Sequence, residues 1–182
     1  NIPGLFAAGE CDYSQHGANR LGANSLLSAI YGGMVAGPKA IEYIQGLEKS
    51  SEDVSSTVFD EQLRKDQAKF DEILNMDGKE NAFELHEELG KWMTGNVTVV
   101  RYNKNLLKTD EKIQELQERF KNISIHDTAK WSNQSAAFVR QLEGMLSLAR
   151  VITLGAYNRN ESLGAQYKPE FPERNDEEWL KT

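Results

Sequence analysis

The feature that most limits the fold is a run of apolar residues spaced alternately by four and three: Phe138, Leu142, Met145, Ala149, Ile152 and Ala156. That period lays them along one stripe of an α-helix, and such a stripe must be covered by facing helices. Three further runs offer those partners. Phe59, Leu63, Phe70, Ile73 and Leu74 mark one helix face, which Thr57 and Asp60 open as a weak capping box. Phe83, Leu89, Trp92 and Met93 mark a second helix ending near Gly95, and Leu106, Ile113, Leu116 and Phe120 mark a third. Val97-Thr98-Val99-Val100 has strand propensity, and periodicity alone leaves a strand there open. Residues 57–158 therefore read as a helical bundle whose aromatic and Met positions form its core.

Residues 1–46 have a different character, rich in Gly, Ala and Leu. The polar stretch from Lys49 to Ser56 reads as a linker, dividing a segment 1–50 from a segment 51–182. Leu5-Phe6-Ala7-Ala8, closed by Gly9, predicts a short buried strand. A loop follows to Asn24, and Leu26, Leu27, Ile30, Met34 and Val35 then recur at helical spacing, with Asn24 or Ser25 as N-cap. Ala29, Gly32, Gly33, Ala36 and Gly37 keep that helix thin, so its backbone can press closely on a neighbour. Pro38 is expected to kink or end it, because proline lacks a backbone donor and crowds the Met34 carbonyl. The expected class is mainly α: a strand–loop–helix element, then a helical bundle.

A net charge of −7 argues against a nucleic-acid partner, which rewards clustered Lys and Arg. No apolar run approaches the roughly 20 residues that span a bilayer, so any membrane contact is expected through a partner. A single cysteine, Cys11, excludes internal disulfides and multi-cysteine metal sites. His86-Glu87-Glu88 begins like a zinc-protease helix, but Gly90 stands where the second histidine must be, and no metal ligand set is expected. The Asn-x-Ser/Thr triplets at Asn96, Asn122, Asn133 and Asn160 read as chance in an Asn-rich chain. The start at Asn1, without methionine and running straight into an apolar segment, suggests a piece of a longer polypeptide.

Most of the chemistry lies in His16-Gly17-Ala18-Asn19-Arg20-Leu21-Gly22-Ala23-Asn24-Ser25-Leu26-Leu27. Its glycines allow close backbone approach, and it delivers an arginine just before a helix start. A helix start offers open N–H groups and partial positive charge. A guanidinium beside it offers a planar fork for a carboxylate or phosphate. The residues alone leave two readings open for Arg20: an anion clamp, or a partner for a structural carboxylate. Glu10 is either a ribose acceptor or a plain surface acid, and on spacing alone the surface reading leads.

The stretch Pro3 to Glu10, then His16 to Leu27, then Tyr31-Gly32-Gly33, closely resembles the last cofactor-binding segment of succinate dehydrogenase and fumarate reductase flavoproteins. L-aspartate oxidase shares a similar HGANR…NSLL element. Tyr157 to Ser162, Gly164-Ala165 and Phe171 to Trp179 look like the succinate dehydrogenase tail. The resemblance implies FAD as cofactor, with Glu10 accepting from its ribose and the backbone of Ser25 and Leu26 meeting the isoalloxazine edge. It implies that Arg20 holds a carboxylate of succinate or fumarate. It also implies an iron–sulfur subunit and a membrane-anchor cytochrome b subunit as partners, at the cytoplasmic face of a bacterial membrane.

No GxGxxG occurs, so the pyrophosphate-binding turn and the family's proton donor are expected outside this chain, which holds no catalytic residue of its own. The helical region is similar to the family's spectrin-repeat-like C-terminal domain. Where family tails read Glu-Ser-Arg-Gly-Ala-His, Leu163 and Gln166 replace the arginine and histidine. Those departures bear on assembly contacts rather than on the reaction. The rival readings are a fumarate reductase, an L-aspartate oxidase, and a non-enzymatic helical interaction module.

Overall fold

Asn81 and Asn133 each precede an apolar run, and each side chain accepts a helix-opening amide: Phe83 N at 2.9 Å and Ala136 N at 2.8 Å. They open α3 (Ala82–Asn96) and α5 (Gln134–Asn158), and α4 (Asn103–Phe120) runs between them. The structure is a computed structural model that describes residues 2–12, 16, 20 and 22–180. Before these helices come α1 (Ser25–Gln45) and α2 (Ser56–Leu74), with short 3-10 turns at Gly9–Cys11 and Ser51–Asp53; a single turn, α6 (Asp176–Trp179), follows them.

Helices α3, α4 and α5 pack on one another, and α2 joins through α5. Leu85, Ile113, Leu116 and Leu142 are wholly buried where they meet. Each such side chain contributes roughly 1.5–3 kcal/mol when removed from water. Only the end of α2 takes part: Ile73 and Leu74 are buried, whereas Phe59 and Leu63 are 60% and 67% exposed. A polar network braces the outside. Arg119 grips Glu80 with two bonds (3.1 and 3.0 Å) and reaches Glu88 at 2.7 Å, and Lys112 meets Glu88 at 3.0 Å. The guanidinium holds the Glu80 and Glu88 carboxyls below the usual carboxylate range.

Several expectations need correction. Leu5–Ala8 forms no strand; among the described residues only isolated bridges occur, because a strand needs a neighbour to pair with. Val97–Val100 is likewise no strand, although Val100 makes one parallel bridge with Tyr167. Of the two outcomes expected at Pro38, a kink or an end, the end does not occur: α1 continues to Gln45. The Met34 carbonyl that loses its donor belongs to a residue 69% exposed, on the open side of the helix. The cap of α2 is Ser55, whose Oγ accepts from Thr57 N at 3.4 Å, rather than Thr57 itself.

Candidate functional site

Glycine and alanine on one face of α1 let the N-terminal segment lie against it. A β-carbon at Gly4 would stand 3.1 Å from the Tyr43 ring, and one at Gly32 would stand 3.3 Å from Gly9 N. The Phe6 ring meets Tyr43 edge-on at 5.9 Å. Residues 4–9 therefore run along α1 from its last turns toward its start, as the chain does in a βα unit. Gly9, at φ +79, then turns the chain into the Gly9–Cys11 turn.

That path sets the Gly9–Cys11 turn beside the first half of α1. Glu10 stands exposed on the turn that follows the close approach. Arg20 is exposed, four residues before Asn24, which immediately precedes α1. Ser25 and Leu26 are the first two residues of α1. Asn24 supplies no side-chain cap, so the first-turn amides keep their positive potential for another acceptor. Ala23 is held at φ 67, a conformation that non-glycine residues adopt rarely. Asn1, Gly17, Ala18, Asn19 and Leu21, which belong to the same sequence elements, lie outside the described residues. His16 reaches α1 directly, its Nε2 lying 2.9 Å from Ser28 Oγ. That contact had no spacing signal beyond the position of His16 at the head of the motif.

A second polar cluster was not foreseen. Lys168 is wholly buried at the end of α5, and its ammonium donates to Ala156 O (3.0 Å), Tyr157 O (2.9 Å) and Asn160 Oδ1 (3.0 Å). Those bonds satisfy carbonyls that a helix end leaves open. Gln166, also buried, accepts from Arg101 and donates to Arg159 O at 3.1 Å. Buried Glu161 accepts from Arg159 at 2.7 Å and from Asn175 N at 2.9 Å. Burial pushes the Lys168 and Arg101 pKa values down. The tail is thus clasped onto α5, and a single lysine in a charged stretch gave no hint of it. Among the described residues no cluster of metal-binding side chains occurs.

The family described as fumarate reductase flavoprotein C-term matches residues 86–182, more than half of the chain. The chain belongs to that flavoprotein family. An FAD binding domain family matches residues 1–26, the segment that carries Glu10 and Arg20. The chain is 72% identical over its full length to the succinate dehydrogenase flavoprotein subunit of Bacillus subtilis, spanning 31% of that protein. It is 34% identical to the fumarate reductase flavoprotein subunit of Haemophilus influenzae, covering 99% of the chain and 30% of that relative. A mutant E. coli quinol fumarate reductase superposes with a TM-score of 0.86 at 33% identity, over 98% of this chain and 30% of that one. The Mycobacterium smegmatis Sdh1 complex in its apo form gives 0.79 at 29% identity, over 95% and 28%. The chain thus spans under a third of each of these relatives.

Proposed function

We propose that this chain is the C-terminal part of a flavoprotein subunit that oxidises succinate to fumarate with FAD. The observation that carries the reading is the 72% identity to a succinate dehydrogenase flavoprotein over the whole chain, against 34% to a fumarate reductase flavoprotein. Residues 1–50 belong to the FAD-binding unit and residues 51–182 to the helical C-terminal unit. The packing of α1 on the Gly9–Cys11 turn, and on no other helix among the described residues, supports that division.

The residues present suit FAD. A helix start without a side-chain cap offers amides to an electron-rich ring edge, and Gly32 lets backbone approach closely. In this reading Ser25 and Leu26 donate backbone N–H groups to the isoalloxazine edge, and Glu10 accepts from the ribose. When bound, FAD supplies the hydride acceptor. Arg20 grips one carboxylate of succinate in a two-pronged bond, which orients the substrate without itself moving a proton. The remaining chemistry belongs to residues beyond this chain.

The partners of the reading are an iron–sulfur subunit and a membrane-anchor cytochrome b subunit, which hold the flavoprotein peripherally at the cytoplasmic face of a bacterial membrane. No helix among the described residues is long and apolar enough to cross a membrane, which suits attachment through partners. A fumarate reductase is the second reading, favoured by the higher TM-score of the quinol fumarate reductase. The assembled complex containing the full-length subunit tests both, assayed for succinate-dependent dye reduction and for fumarate reduction by reduced viologen. Faster succinate oxidation supports the first reading. Fumarate reduction without measurable succinate oxidation would replace it with the second.

A further inference from the structure

His16 and Asn24 bracket Arg20 symmetrically, four residues on either side. Both ends of this segment meet at one hydroxyl. Ser28 Oγ lies 2.9 Å from His16 Nε2, 2.9 Å from Asn24 O and 3.0 Å from Ser25 O. A serine hydroxyl has one proton, and the two carbonyls can only accept it. That proton goes either to one of the carbonyls, the oxygen then accepting from an imidazole Nε2–H, or to Nε2 itself; with either tautomer one hydrogen bond joins His16 to Ser28. His16, four residues before the arginine, and Asn24, four residues after it, are thus joined through that hydroxyl. Four residues of fully extended chain reach at most about 14 Å, so pinning His16 bounds where Arg20 can lie. Ala23 adds a second constraint at the same base. Its left-handed backbone, at φ 67, persists only where the surroundings over-determine it.

We infer that His16 and Ser28 form a latch that ties the chain four residues before Arg20 to the first turns of α1 and so presets the guanidinium for a carboxylate. They are positioning residues; neither contacts the substrate in this account. The inference rests on the reading of Arg20 as the carboxylate clamp. Without the latch the ligand itself must fix the arginine's approach, and that cost is subtracted from affinity. The helix does not need the hydroxyl, since alanine is the better helix former at that position. Loss of affinity in Ser28→Ala therefore reports the latch and not a weakened α1.

The test uses the full-length flavoprotein subunit and the dicarboxylate malonate as probe, with its dissociation constant read from the flavin absorbance change. His16→Phe keeps a flat ring without a hydrogen-bonding nitrogen, Ser28→Ala removes the hydroxyl, and His16→Gln restores a polar group that can donate or accept on a similar reach. His16→Phe and Ser28→Ala are each expected to raise the malonate constant about three- to tenfold, the value of one hydrogen bond. The double variant should be no worse than either single one, and His16→Gln should recover most of the loss. The KM for succinate should rise in parallel while the flavin-to-protein ratio stays unchanged. Arg20→Lys is the control. If it leaves malonate binding untouched, the clamp reading itself is overturned and the latch with it. If Arg20→Lys weakens malonate while both His16→Phe and Ser28→Ala bind it like wild type, the latch alone is overturned.

Discussion

A β-carbon at Gly78 would stand 1.9 Å from the Asn122 carbonyl oxygen, closer than any side chain is tolerated. The crowding is built by backbone: Gly78 N donates to Ile123 O at 3.0 Å, and Lys79 N and Glu80 N both donate to Asn122 O, at 2.8 and 2.9 Å. Because the obstruction is main chain, no rotamer change relieves it. Gly78→Ala is expected to destabilise the bundle by at least about 2 kcal/mol, seen as a melting temperature lower by roughly 4–8 °C. A variant that melts with wild type would show that the two loops do not clasp as described. Nothing local in the sequence marks this glycine, because its constraint comes from a residue 44 positions away. Glu10, Arg20, Ser25 and Leu26 stand out in the sequence for the opposite reason: they belong to one short stretch leading into a helix start, and their roles are for the variants to test.

At the scale of elements, the stripe on α5 was legible only in part. Leu142, Ala149 and Ala156 are buried as expected, but Val139, Leu146 and Thr153 complete the buried face where Phe138, Met145 and Ile152 were expected. Both stripes share the same three residues and differ by about one position of rotation. Which one faces α4 is decided by packing. Phe138 instead flanks the core, stacked on Phe83 with centroids 4.4 Å apart. Thr153, polar and therefore passed over, buries its hydroxyl by donating to Ala149 O at 2.8 Å.

The tail holds the two positions, Leu163 and Gln166, where a departure from the family pattern was expected. Leu163 is 37% exposed, so an arginine fits there without burial. Gln166 is 3% exposed and must accept from Arg101. A histidine at 166 can accept that bond only when neutral. Burial already disfavours the cations of Arg101 and Lys168 around it. The folded-state pKa of the introduced imidazole is thus depressed relative to its unfolded value near 6.5. The folded form then binds fewer protons, and stability falls as pH drops through that value. Gln166→His is expected to melt near wild type at pH 8 and several degrees lower at pH 5.5, beyond any change in wild type. Equal shifts in both proteins would remove Gln166 from its place as acceptor for Arg101.

The whole molecule divides by how each part is supported. Helices α2 to α5 bury apolar faces against one another, whereas α1 leaves Leu26, Leu27, Ile30 and Met34 each more than 60% exposed. The change of composition near residue 50 matches that contrast, whereas the absence of a strand at Leu5–Ala8 could not be read from its own residues, since a strand is made by pairing between segments. The isolated 182-residue chain should be strongly helical by circular dichroism and melt cooperatively, while added FAD leaves its melting temperature unmoved. Tight stoichiometric FAD binding by this chain alone would contradict the division of the site.

The central claim is that the start of α1 forms one edge of a flavin and dicarboxylate site, with Arg20 as the clamp. Arg20→Lys in the full-length subunit tests it most directly, because lysine keeps the charge but loses the planar fork. The measurement is kcat/KM for succinate beside the flavin-to-protein ratio. The account predicts a fall of at least about tenfold, matching the loss of one charge-assisted bond, with flavin content unchanged. Wild-type kcat/KM in that variant would contradict it.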